Sequence, residues 1–106
     1  MNNIIIGKRF EGNLLLISVD GHLLALEESQ KVLNHSPDGF NAGYSGSGPA
    51  QSALAILLDV LKDKNRAISL HQKFKRQFLS NPEYLNNDFQ FNVNILEWAN
   101  LTELGF

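Results

Sequence analysis

The sequence predicts an α+β protein: an N-terminal three-stranded antiparallel β-meander, a long glycine-rich loop, and two to three helices packed on one face of the sheet. Three observations predict it. Short aliphatic runs crowd residues 3–26 and are broken by glycines. A polar connector with four glycines follows at 27–48. Beyond it, apolar residues recur at helical spacing over two long stretches.

Ile4-Ile5-Ile6 is β-branched and stops at Gly7. Leu14 to Val19 is a second run, entered through Gly12-Asn13, with Glu11-Gly12 the other place for the reversal. His22 to Leu26 is a third. Asp20-Gly21 between them is a strong hairpin signal, because a type I′ turn needs positive φ at both central residues. Leu14-Leu15-Leu16-Ile17 does not alternate, which predicts a strand at the sheet centre or covered on both faces. In the connector, Glu28 to Leu33 suits a short helix or an extended piece. The remainder carries Gly39, Gly43, Gly46, Gly48, Phe40 and Tyr44, and reads as an ordered, packed loop.

A helix follows, with Gly48 at the cap, Pro49 at the first helical position and Gln51 reaching back to the cap backbone. On a helical wheel Gln51, Ser52, Ala55, Asp59 and Lys62 share one narrow polar stripe, and aliphatic residues fill the rest, so the helix is nearly buried. Asp63-Lys64-Asn65 turns into a second helix over about 65–80, with Ala67, Leu70, His71, Phe74 and Phe78 inward, ended by Ser80-Asn81-Pro82. Asp88 to Phe91 alternates like a short strand. Asn92 is placed to cap a final helix from Val93 to about Leu104 that turns Ile95, Trp98 and Leu101 inward, with Ala99 a further candidate.

With 106 residues, 43% of them hydrophobic, the chain fits a single domain spanning 1–106. Absence of cysteine excludes disulfides, thiolate metal sites and a cysteine nucleophile. The start, Met1 to Ile6, lacks the features of a signal peptide, and no apolar run approaches the roughly 20 residues of a membrane span. A net charge of −2 argues against a general polyanion binder.

Candidate chemistry concentrates in residues 39–51. Tyr44, Ser45, Gly46, Ser47, Gly48 and Gln51 form the candidate ligand or partner surface: the glycines allow close backbone approach, and a helix N-terminus suits an anion. It is not a P-loop, since the lysine is missing. The alternative is a loop whose glycines let Phe40 and Tyr44 pack under the central helix. His35, with Ser45 or Ser47 as nucleophile, is the catalytic candidate; equally, His35 can lock the loop by hydrogen bonding. His71 sits on an apolar face and reads as a hydrogen-bonded core residue, and His22 as exposed. The three histidines have no spacing that signals a metal, and no cofactor is expected. Residues 62–76 hold six of the nine basic residues, so Arg66, Lys73 and Arg76 are candidate contacts for an anionic partner such as nucleic acid. Residues 77–106 hold four acids and no base.

The run from His35-Ser36-Pro37-Asp38-Gly39-Phe40 through Gly43-Tyr44-Ser45-Gly46-Ser47-Gly48-Pro49-Ala50-Gln51 to Leu57 resembles the signature of a family of small proteins from bacteria, phages and plasmids that carry a domain of unknown function. Gly7-Lys8-Arg9 resembles that family's G-x-R segment, and Gln72-Lys73-Phe74-Lys75 its Q-x-F-K element. The likeness covers nearly the whole chain. Departures are Ala42 for tryptophan, Ser45 for glycine, Ser52 for leucine and His71 for tyrosine. The resemblance implies a prokaryotic or mobile-element origin and a cytoplasmic setting, and supplies no activity. The expectation is therefore a non-enzymatic interaction module that uses the glycine-rich loop and takes a protein or a small anionic ligand. The alternatives are a small Ser/His hydrolase or transferase, and weak nucleic-acid binding through 62–76.

Overall fold

The computed structural model describes all 106 residues. Strands β1 (Asn3–Arg9), β2 (Leu15–Val19) and β3 (His22–Leu23) are followed by helices α1 (Leu26–Val32), α2 (Ser47–Leu61) and α3 (Lys64–Phe74), then β4 (Phe89–Val93) and α4 (Ile95–Glu103). A wide helical turn over Lys75–Leu79 continues α3, and tight turns occupy Glu11–Asn13 and Pro82–Tyr84.

The class is α+β, with four helices against the expected two to three, and the short strand expected near 88–91 joins the three-stranded meander to make a four-stranded sheet. β4 pairs antiparallel with β1, so the sheet order is β3-β2-β1-β4. Its partner lies at the other end of the chain, a distance that local pattern does not report. β2 is interior, but only one of its faces is covered: Leu16 and Ile6 on the far face are half-buried, and Ile4 and Leu23 are exposed.

The β2–β3 turn has φ 53 at Asp20 and 81 at Gly21, as a type I′ turn requires. Asp20 Oδ1 accepts from the Ile4 backbone N–H at 2.7 Å and Oδ2 from Asn3 Nδ2 at 2.9 Å. These bonds hold its carboxyl below the ordinary range and fasten the hairpin to β1. β3 is shorter than the expected run to Leu26, because Leu24 turns into the core and α1 begins at Leu26.

Strand alternation sets the core face. It takes Ile5, Gly7 and Arg9 from β1, Leu15, Ile17 and Val19 from β2, and Phe89, Phe91 and Val93 from β4. Gly7 sits opposite both Ile17 and Phe89, and a side chain there would overlap the Phe89 ring. α2 lies on this face, buried at every residue from Gly48 to Leu57, and touches β2, α1, α3 and α4. Asp63 caps α3 by accepting from the Arg66 N–H at 3.1 Å. As expected, α3 turns Ala67, Leu70, His71 and Phe74 inward. Phe74 packs against Phe78 with ring centres 4.8 Å apart, and against Trp98 at 5.2 Å.

α4 differs from expectation at two points. Its cap is Asn94 and not Asn92, because the ladder with β1 runs on to Val93. Its inward residues are Ile95 and Ala99, with Trp98 half-buried, while Leu101 is 43% exposed. A step of three residues falls about 60° short of a full turn, so the series 95, 98, 101 drifts off the core stripe.

Gly7→Ala should lower stability by about 1–3 kcal/mol through overpacking against Phe89. Urea unfolding of the variant should show a lower midpoint at unchanged slope.

Candidate functional site

Residues 33–46 run between α1 and α2 with no regular structure beyond a single bridge from Phe40 to Leu15. Their backbone groups must therefore find partners elsewhere. Gln51 supplies several. Its Oε1 accepts from the backbone N–H of His35 at 2.7 Å and of Ser36 at 3.0 Å. Its Nε2 donates to Ser29 Oγ at 2.8 Å and to the Leu33 carbonyl at 3.1 Å. A side-chain amide has two acceptor sites and two N–H donors, and all four are engaged. Ser52 Oγ accepts from the Asn41 N–H at 3.0 Å and donates to the Asn41 carbonyl at 2.7 Å. Gln51 and Ser52 are fully buried, so the N-terminal half of the expected polar stripe is an internal polar layer and not a solvated face.

Arg9 anchors the other end of the loop. Alternation puts it on the core face of β1, where its guanidinium reaches beneath residues 41–42. Nη1 donates to Asn41 Oδ1 at 2.9 Å and to the Asn13 carbonyl at 3.4 Å. Nη2 donates to the Tyr84 carbonyl at 3.0 Å and to the Ala42 carbonyl at 3.3 Å, and Nε to the Asn87 carbonyl at 3.3 Å. All five N–H groups of the guanidinium are used. Desolvation lowers its pKa from the ordinary arginine value, with Tyr44 and Asp88 acting in the opposite direction. Sequence reading missed Arg9 as an anchor. Two signals pointed to it: its place in step with Ile5 and Gly7, and the G-x-R segment itself.

Gly43 holds φ +102, donates its N–H to the Leu79 carbonyl at 2.8 Å and lies against the Leu85 backbone, leaving no room for a side chain. Gly46 and Gly48 lie beneath Tyr44. A Cβ on Gly46 would sit 2.5 Å from the Tyr44 ring, and one on Gly48 2.8 Å from its hydroxyl. The interior of the loop is thus filled by its own Asn41 and Tyr44. The helix cap is Gly46, two residues before the expected Gly48. Pro49 is therefore the third helical residue, where the missing N–H is equally harmless. Gln51 does not reach back to the cap, because its amide is used by the loop.

The candidate binding residues fall into two groups. Tyr44 is 40% exposed, and Ser45 and Ser47 are exposed; none of the three makes a side-chain hydrogen bond within the chain. Gly48 and Gln51 are buried beneath them as supports, and Gly46 is half-buried. Tyr44 and Ser47 border an open cleft of about 350 Å³, whose other polar walls are Asn13, Ser36, Asp38 and Asn41. The catalytic candidate His35 is half-buried, with its Nε2 2.9 Å from His71 Nε2. Neither Ser45 nor Ser47 is a hydrogen-bond partner of either histidine. Among the basic candidates, Arg66 is tied to Glu103 at 2.6 Å and to Asn100 at 3.0 Å, while Lys73 and Arg76 are exposed. Its salt bridge sets part of the basic segment against the acidic tail. His22 is exposed and pairs with Asp59 at 2.9 Å. No group of three or more His, Asp or Glu side chains is placed to hold a metal ion, and no helix is long and apolar enough to cross a membrane.

A family model described as a family of unknown function, DUF6166, matches residues 6–100. The chain belongs to that family. The DUF6166 match runs from β1 into α4 and so takes in Arg9, the whole loop and Gln51. No curated protein and no solved structure matches the chain.

Gln51→Glu keeps the size of the side chain but removes both donors, and turns a carboxylate oxygen toward the Leu33 carbonyl. It should cost about 2–4 kcal/mol at neutral pH. Thermal melting at neutral and mildly acid pH should show part of that loss recovered as the new carboxyl takes up a proton and can donate again.

Proposed function

We propose that this DUF6166 member is a binding module without catalysis of its own, whose recognition surface is Tyr44 and Ser47 at the rim of the cleft before α2, with the exposed Ser45 between them in sequence. One observation carries the reading: the loop is held from beneath by two saturated side chains, while its outward hydroxyls are left without partners. Such a surface is already ordered before anything binds, so little conformational entropy is lost on association. An exposed tyrosine on a rigid support offers a large apolar ring with a polar tip, a combination enriched at protein interfaces.

Between the two ligand types expected from the sequence, the cleft favours a polar segment of a partner protein over a small anion. Asp38 places a negative charge on its wall, and Arg9 spends all its donors on the chain. Pro49 withdraws one further amide donor from the helix start.

The test is affinity capture from a lysate of the source cells, comparing the natural chain with a Tyr44→Ala, Ser47→Ala double variant. The Tyr44 ring also packs on Gly46 and Gly48, so a Ser45→Ala, Ser47→Ala variant, which leaves that packing intact and should melt within a few degrees of the natural chain, is compared alongside. A partner bound through this surface should be retained less well by both variants, and at least about tenfold less well by the one without Tyr44. Equal retention of every captured protein would contradict the proposal.

A further inference from the structure

His71 lies on the buried face of α3, 3% exposed, and His35 stands at the entry of the loop. Their Nε2 atoms are 2.9 Å apart, with ring centres 5.0 Å apart. Two ring nitrogens at that distance share one proton: one donates and the other accepts. The far side of His71 decides the roles. Its Nδ1 is 2.6 Å from the Ile68 carbonyl, which can only accept, so Nδ1 carries the hydrogen. Neutral His71 therefore offers a bare Nε2, and His35 Nε2–H donates to it. The amide nitrogen of Gln72, 3.4 Å from the same Nε2, also approaches as a donor.

The two histidines consequently respond differently to acid. His35 Nδ1 has no partner in the chain, so a proton placed there leaves the Nε2–H···Nε2 bond intact. A proton on His71 would set two N–H groups against each other and place two cations at contact. Lys75, on the turn that continues α3, adds a third positive charge, and no carboxylate acts on His71.

We infer that the His35–His71 pair is a proton-operated latch on the glycine-rich loop: closed while His71 is neutral, and released when both rings are charged. Release acts on the cleft directly, since His35 and Ser36 are the two residues clamped by Gln51, and Ser36, Asp38, Gly39 and Phe40 line the cleft. The consequence for binding rests on the reading of that cleft as the recognition surface; the latch itself does not.

The direction with pH follows from the same contacts. Burial, then the charge of His35 and that of Lys75, pull the His71 pKa below the ordinary histidine value, against the bonds to backbone. In the released form those causes are relieved, so its proton is held more tightly than in the closed form. The latch therefore contributes fully above the pH at which the released form titrates and is lost as pH falls below it, toward the lowered value of the closed form. Release is tied to the proton that His71 takes up, so the released fraction should rise as pH falls.

The test is NMR of the uniformly 15N-labelled chain, following imidazole nitrogens and the His35 and Ser36 amides from about pH 8 to about pH 5. Expected is a neutral His71 that carries its hydrogen on Nδ1, and movement of both amides as His71 takes up its second ring proton. His71→Gln keeps an acceptor for His35 but cannot titrate, and in it the acid-induced amide shift should vanish. A His71 whose protonation leaves the amides unmoved would overturn the latch, as would an acid transition that persists in His71→Gln. No ligand is present, so failure here leaves the binding reading standing, and failure of the binding reading leaves these signals unchanged.

Discussion

A connector without helix or strand still carries one donor and one acceptor at nearly every residue, and burying it against a core is tolerable only if those groups are paired. In this protein the pairing is done by side chains from elements that flank the loop. Gln51, on the first turns of α2, takes the N–H groups of His35 and Ser36. Ser52 takes both backbone groups of Asn41. Arg9, at the end of β1, takes the carbonyls of Asn13, Ala42, Tyr84 and Asn87. Two of these side chains have no hydrogen-bonding capacity left over. The sheet, the central helix and the 79–87 segment are therefore joined through the loop as well as through the apolar core.

That arrangement separates the loop into an inner and an outer layer. Inward, Asn41 and the lower side of Tyr44 fill the space left by Gly46 and Gly48, and Gly43 closes against Leu85. Outward, Tyr44, Ser45 and Ser47 face solvent. The glycines serve both layers: lacking Cβ atoms, they let the tyrosine lie flat on the backbone, which fixes its ring while leaving its other face open. Packing and recognition are not competing accounts of this loop, since the packing is what holds the exposed residues in place. The histidine pair adds a further tie, from the loop to α3.

The parts of the fold that were legible in the sequence are those fixed by local chemistry. Asp20-Gly21 specified its turn because so few residue pairs accept two positive φ values. The aliphatic density of residues 53–57 specified a buried helix. What escaped depends on partners far away in the chain. The pairing of β4 with β1 joins residues 3–7 to 89–93. Gln51 and Ser52 fell on a narrow polar stripe, and a helical wheel does not show what meets that stripe, here the backbone groups of the loop. His71 was read correctly as a hydrogen-bonded core residue, but its partner His35 lies 36 positions earlier and nothing local names it.

The central claim is that the loop is ordered by specific side-chain anchors. Amide hydrogen exchange of the native protein at neutral pH tests it most directly. The account predicts a split within one loop: His35, Ser36, Asn41 and Gly43, whose N–H groups are held by Gln51, Ser52 and Leu79, should be protected to nearly the level of α2. Asp38 and Ser45, whose N–H groups have no acceptor in the chain, should exchange freely. Uniformly fast exchange across residues 34–46 would contradict it.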